Sequence, residues 1–165
     1  MNFYTRTVIK YLKTASDETW MSYICQSNYD ANKSVLKWAV EQPRLPDAAA
    51  LALYWMMDPV FFSPPLKEEA AWGEEDYNIV RTVEQNYLKG FYKKVEFGFD
   101  PRSDRIMDYD WVAGQGANSE TNIPAMMYEA IERPQLDPMT LPTGNEGLPE
   151  EVLADMYDWE EEEEE

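Results

Sequence analysis

The chain has no histidine and a single cysteine among its 165 residues. Those two absences remove whole classes of chemistry. Without imidazole there is no Ser-His-Asp or Cys-His nucleophile and no histidine metal site. One thiol, Cys25, closes no internal disulfide and builds no thiolate zinc centre. Basic residues are scarce too: 14 against 32 acidic, a formal charge of −18 and a sequence pI near 4.2. A surface this negative repels phosphate, which argues against nucleic acid as a partner. Long apolar runs are missing as well. The longest, Ala48 to Met57, is about half the roughly 20 residues a membrane-spanning helix needs. Asp47 and Asp58 bracket it, so it reads as a buried core helix. Met1 to Lys13 carries Arg6, Lys10 and Lys13 along its length and no apolar core, unlike a secretory signal. A cytoplasmic protein is expected, in keeping with its one free cysteine.

The charge that is present is uneven. Residues 1–128 hold 13 basic and 18 acidic side chains; residues 129–165 hold only Arg133 against 14 acidic ones. Six glutamates, Glu160 to Glu165, end the chain. Such a run self-repels and is expected to be disordered. It serves either as a solubilising tail or as an arm that steers a basic partner.

Helical periodicity dominates the rest. Tyr4, Val8, Tyr11 and Leu12 share a helix face. Asp17 is placed to cap a second helix with Trp20, Met21, Ile24 and Cys25. Asp30 is placed to cap a third with Val35, Leu36, Ala39 and Val40, ended by Pro43 and Pro46. Asp47 then caps Ala48 to Met57, apolar on every side and therefore central. Glu74, Glu75 and Asp76 suit the positive first turn of a helix that buries Ile79, Val80, Val83, Tyr87 and Leu88 and stops at Gly90. Val95, Phe97 and Phe99 alternate with Glu96 and Gly98, the pattern of one short strand or extended segment. Residues 100–122 read as an irregular excursion. Asn122 and Pro124 open a further helix with Met126, Met127 and Ile131 inward. Four prolines and two glycines make 134–149 a linker or draped loop, and Pro149 starts a last short helix with Val152, Leu153, Met156 and Tyr157 on its apolar face. The expected fold is mainly α: a compact single-domain helical bundle over residues 1–133 with at most one short strand or hairpin. A Pro-rich acidic C-terminal extension follows over 134–165.

The carboxylates Asp100, Asp104, Asp108 and Asp110 are the first candidate site. Their spacing is wrong for a calcium loop, and Arg102 and Arg105 interrupt them, so a solvated loop with local ion pairs is the ordinary reading. With 32 acids in the chain, a carboxylate pair for acid-base catalysis carries almost no signal. Aromatic residues carry more. Trp38, Tyr54, Trp55, Phe61 and Phe62 read as core; Trp72, Tyr109, Trp111, Tyr128, Tyr157 and Trp159 sit beside charges or in loops and suit interface anchors. Cys25 reads as a small buried hydrophobe.

One set of residues points to a family. Ser27-Asn28-Tyr29-Asp30, Val35-Leu36-Lys37-Trp38, Pro43, Asp47 through Trp55 and Asp58-Pro59 resemble the bacterial domain of unknown function 4274 family. Val83, Glu84, Asn86 and Tyr87, then Gly90-Phe91-Tyr92 and Phe99-Asp100-Pro101, extend the similarity over residues 18–105. Tyr29 stands where the family usually has tryptophan. These are packing and capping motifs, so the resemblance implies a fold and no active site. It also implies a small bacterial protein of the immunity-protein kind. The expectation is a non-enzymatic protein that neutralises a cognate toxin, or binds another basic protein surface. Asp104, Asp108, Tyr109, Asp110 and Trp111 would form the contact loop, joined by Tyr157, Asp158 and Trp159, with no cofactor or metal and no nucleic acid or membrane. Two alternatives remain: an acidic-tailed regulatory or adaptor protein, and a metal-assisted hydrolase using the 100–110 carboxylates.

Overall fold

The computed structural model describes residues 1–63, 73–142, 144–152 and 154–155. The α-helices, in order, are α1 Phe3–Leu12, α2 Asp17–Gln26, α3 Lys33–Ala39, α4 Asp47–Met56, α5 Glu74–Leu88 and α6 Trp111–Gly114. Short 3₁₀ turns occupy Ala125–Tyr128, Pro138–Thr140 and Asn145–Gly147. No strand occurs among the described residues, which hold two isolated bridges, Pro46 with Lys93 and Asp104 with Tyr109. The mainly helical bundle is as the periodicity implied. No helix of the described residues is long and apolar enough to cross a membrane.

The bundle is built around α4. Ala48 to Trp55 are all buried, and α4 packs on α2 and α5. Four alanines let neighbouring helices come close, while Leu51, Leu53, Tyr54 and Trp55 fill the space between them. The helix also organises what lies beyond it. The Tyr54 hydroxyl donates to Glu84 at 2.7 Å, and the Trp55 indole donates to the Met127 carbonyl at 2.8 Å. Asp47 sits in the first turn, where its carboxylate accepts from the Ala48 amide at 2.8 Å and pairs with Arg133 at 2.6 Å.

Several caps differ from expectation. Ser16, not Asp17, caps α2, its hydroxyl accepting from the Thr19 amide at 3.2 Å. The N-cap position needs an extended backbone, which Ser16 has and the helical Asp17 has already left. Asp30 does not cap α3. That helix starts from Asn32, whose side chain makes no capping bond, and it is Asn28 that takes the Asp30 and Ala31 amides in the turn before it. Phe61, expected in the core, is 47% exposed and meets Phe62 edge-on. Trp38 is half-buried, stacked on Trp20 at 5.6 Å. Gly90 does end α5, with φ near 71°, letting the Phe91 amide reach back to the Asn86 carbonyl at 3.0 Å.

The alternating segment Val95, Phe97, Phe99 buries those three side chains as its period required, yet forms no strand. Its partner is the run 131–134: the Gly98 amide donates to the Pro134 carbonyl and the Ile131 amide to the Phe99 carbonyl. That pairing corrects the helix expected from Asn122 onward. Only the 3₁₀ turn Ala125–Tyr128 forms, burying Met127 and leaving Met126 44% exposed. Glu129 is already extended, and the Ile131 amide bonds the Phe99 carbonyl in place of a helical partner.

The boundary drawn at residue 133 does not mark the edge of the packing. Leu141, Leu148 and Val152 are buried, and the turn Asn145–Gly147 lies on α2. Glu160 to Glu165 fall outside the described residues.

Burial also sets an alkaline limit on stability. It pushes the Tyr23 and Tyr87 hydroxyls up to about 12 from an ordinary 10, and raises Tyr54 and Tyr92 as well. The Tyr92 hydroxyl donates to the Val40 carbonyl from a buried site, which a phenolate could not do. A phenol whose folded pKa is raised contributes stability that is complete below pH 10 and is lost as pH rises through the folded value. Phenolate absorbance and helical circular dichroism should therefore change together as pH climbs from about 10 to about 12 and beyond. Ionisation of all the phenols near pH 10 with the helices intact would contradict this packing.

Candidate functional site

The excursion 100–115 is irregular in outline but closely tied. The Asp104 amide donates to the Tyr109 carbonyl at 3.0 Å and the Tyr109 amide returns to the Asp104 carbonyl at 3.2 Å. This closes a turn in which Asp108 takes a positive φ of 51°, a conformation aspartate tolerates better than most residues. Asp104 fills the inside of the turn. One carboxylate oxygen accepts the Ile106 amide at 2.9 Å and the Met107 amide at 3.2 Å; the other accepts the Trp111 indole at 2.9 Å.

Side chains from elsewhere hold the turn in place. The Gln135 side chain accepts the Arg105 amide at 2.9 Å and donates to the Ser103 carbonyl at 2.8 Å. The Trp111 amide donates to the Pro101 carbonyl, and Gln115 donates to the Trp55 carbonyl at the end of α4. Arg102 donates to the Tyr128 carbonyl at 3.0 Å and lies over that ring at 5.5 Å.

The expected contact residues therefore separate. Asp104 is 2% exposed, which corrects its placement at the contact surface: its carboxylate is consumed in shaping the loop. Asp108 is exposed. Asp110 is exposed but caps α6, accepting the Ala113 amide at 2.9 Å. Tyr109 is 45% exposed and meets the half-buried Trp111 edge-on, with ring centroids 4.7 Å apart. Gly114 makes room for this pair, since a Cβ there would fall under 3.0 Å from the Tyr109 ring and hydroxyl. Tyr157, Asp158 and Trp159 lie outside the described residues, as does Trp72. The Gln135 clamp and the inward Asp104 were missed. The available signal was an aspartate followed two and three residues later by free turn amides, the grammar of an Asx turn.

A second concave feature lies between α3 and α5. A cavity of 540 Å³ has Val40 and Ile79 in its wall and Lys37, Glu41, Glu74 and Glu75 around it. Three carboxylates against one ammonium suit a cationic side chain. Among the described residues no group of three or more His, Cys, Asp or Glu side chains is arranged to hold a metal. Cys25 is buried, and burial first, then the negative charge of Asp104, raises its thiol well above the ordinary range. It is protonated and shielded, which makes it a packing residue.

Residues 15–88 match the family model of a domain of unknown function (DUF4274). The match spans α2 through α5 and ends before the loop that carries Tyr109 and Trp111. Neither the curated proteins nor the solved structures gave a match to this chain.

Proposed function

We propose that this protein, with a DUF4274 segment over residues 15–88 as its scaffold, is a non-enzymatic binding protein that occludes the active site of a basic cognate toxin in the cytoplasm. The observation that carries the reading is the loop 104–111. It presents an aromatic pair, Tyr109 against Trp111, beside the exposed carboxylates of Asp108 and Asp110. Interface energy concentrates in aromatic anchors surrounded by a polar rim. An anchor already held by Asp104 and Gln135 loses little freedom on binding. The acid-lined cavity between α3 and α5 adds negative charge for a basic partner, and Glu160 to Glu165 add more by sequence.

The partner to test first is the product of the neighbouring reading frame, co-expressed with this chain. Tyr109→Ala should weaken the complex by about 2 kcal/mol or more, roughly 30-fold in Kd. Asp108→Asn keeps the turn and should slow association at low salt while changing little at high salt. Unchanged affinity in Tyr109→Ala would remove the loop from the interface. A partner captured equally at all salt concentrations would remove the electrostatic part of the reading.

A further inference from the structure

Pro142 and the segment 144–148 lie in a polar trough made by α1, α2 and the start of α3. Donors on all three are aimed at it. The Ser22 hydroxyl, fully buried, donates to the Gly147 carbonyl at 2.8 Å, and Gln26 donates to the Pro142 carbonyl at 2.9 Å. The Glu146 carboxylate receives the rest. One oxygen accepts the Asn32 side chain at 2.7 Å and the Asn28 amide at 3.0 Å, and the other accepts the Tyr4 hydroxyl. Asn32 is 5% exposed and is itself steadied by Ser27 at 2.9 Å. Burial raises the Tyr4 phenol, with Tyr23 and Glu146 adding to the shift, so its hydroxyl stays a donor. No Lys or Arg hydrogen-bonds this carboxylate; it is bound by neutral donors alone among the described residues.

One residue of the occupant, Glu146, is held against its own backbone preference. Gly144, Asn145, Glu146 and Gly147 all have positive φ, at 74°, 49°, 57° and 76°. Glutamate is disfavoured there, and such conformations persist only where surrounding contacts impose them, typically at ligand clamps and switches. The trough also reads its occupant residue by residue. It takes a carboxylate at 146. It admits no side chain at 147, where a Cβ would fall under 3.0 Å from Ser22. It covers an apolar side chain at 148, where Leu148 is 2% exposed.

We propose that this trough is a peptide-binding site for an acidic Glu-Gly-apolar segment of a partner protein, and that residues 144–148 are its displaceable occupant in cis. The site shares no residue with the loop carrying Tyr109 and Trp111 and stands independently of the function assigned to that loop. Ser22, Gln26, Asn28 and Asn32 belong to the DUF4274 match, whereas the occupant lies beyond it. Most of the recognising groups therefore lie within the matched segment, with Tyr4 of α1 outside it, and the segment that fills the trough lies outside it as well.

The test uses the full chain and a fluorescent peptide with the sequence of residues 140–150. Gly147→Ala forces the cis segment off Ser22 without altering the trough. The variant should bind the peptide at least about tenfold more tightly than the unaltered chain, because the competing segment is removed. The same peptide carrying Glu146→Ala should lose that binding. A folded Gly147→Ala chain that binds no better than the unaltered one overturns the proposal. Should that variant fail to fold, hydrogen exchange on the unaltered chain decides. Displacement requires the Gly147 and Leu148 amides, bonded to the Gly144 and Asn145 carbonyls, to exchange well before those of α4. Exchange at the α4 rate would make the segment a fixed part of the fold and end the proposal.

Discussion

Gly98→Ala should destabilise the protein by about 3 kcal/mol or more, far beyond the usual effect of adding one methyl group. The backbone at Gly98 is not in the left-handed region, so alanine is no conformational problem in itself. The obstacle is contact. A Cβ at this position would lie under 3.0 Å from both the Ile131 and the Arg133 carbonyl oxygens. These are backbone atoms and are themselves pinned. The Gly98 amide holds the Pro134 carbonyl at 3.0 Å, and the Ile131 amide holds the Phe99 carbonyl at 2.9 Å. Arg133 is fixed by the Asp47 carboxylate and the Val95 carbonyl. Relief requires the two segments to part, which sacrifices two backbone hydrogen bonds worth about 1 kcal/mol each and disturbs the Arg133–Asp47 pair. For a chain of this length the melting temperature should fall by roughly 6–12 °C. Gly90→Ala is the control. There φ is 71° and nothing lies within 4 Å, so the expected loss is only the backbone strain of about 1–2 kcal/mol. Equal melting temperatures for the two variants would show that 95–99 and 131–134 are not clamped as described.

That clamp also shows where the sequence stops being legible. The helices were readable because each satisfies its own backbone and needs only an apolar stripe: Val8 and Leu12 on α1, Ile79, Val80 and Val83 on α5, and the all-round apolar α4. The segment 95–99 announced its alternating burial but not its partner, because a pairing with residues 131–134 is a long-range choice. Val95, Phe97 and Phe99 match in spacing a strand that does not form. Between 100 and 135 several backbone amides are satisfied by side chains, those of Asp100, Asp104, Asp110, Asn118 and Gln135, and no periodicity records such bonds. The turn at 144–147 was hidden for a different reason. Among its four successive positive φ values, the one at Glu146 runs against local preference, and no periodicity records the side-chain bonds from Tyr4 and Asn32 and the Asn28 amide bond that hold it. Aromatic and acidic composition singled out the loop 104–111 as a candidate, but composition does not divide the labour among its aspartates.

Asp104→Asn puts that division to the test, and it should have the largest effect of any substitution among the four aspartates at 100, 104, 108 and 110. The four are alike in the sequence, but their surroundings differ. Asp108 is exposed; Asp100 and Asp110 each take one backbone amide near the surface. Asp104 is buried and accepts three donors on two oxygens. Asparagine has only one oxygen. Its amide nitrogen must then face either the Trp111 indole or the Ile106 and Met107 amides, setting donor against donor in a site closed to water. The charged hydrogen bond lost is worth about 1.5–3 kcal/mol, and the donor left buried without a partner about 1–3 kcal/mol more. The loop should open locally while the helices remain, because α1 through α5 give no hydrogen bond to this carboxylate. Amide exchange at Ile106 and Met107 should accelerate strongly with α4 unchanged, and Tyr109 and Trp111 should lose their edge-on contact. On the proposed interface, partner binding should then fall as far as in Tyr109→Ala, although the Asp104 carboxylate is buried. If Asp104→Asn instead lowered affinity with the exchange of Ile106 and Met107 unaltered, the carboxylate would be a contact residue after all, and the loop would owe its shape to the Gln135 bonds and the Pro101 carbonyl.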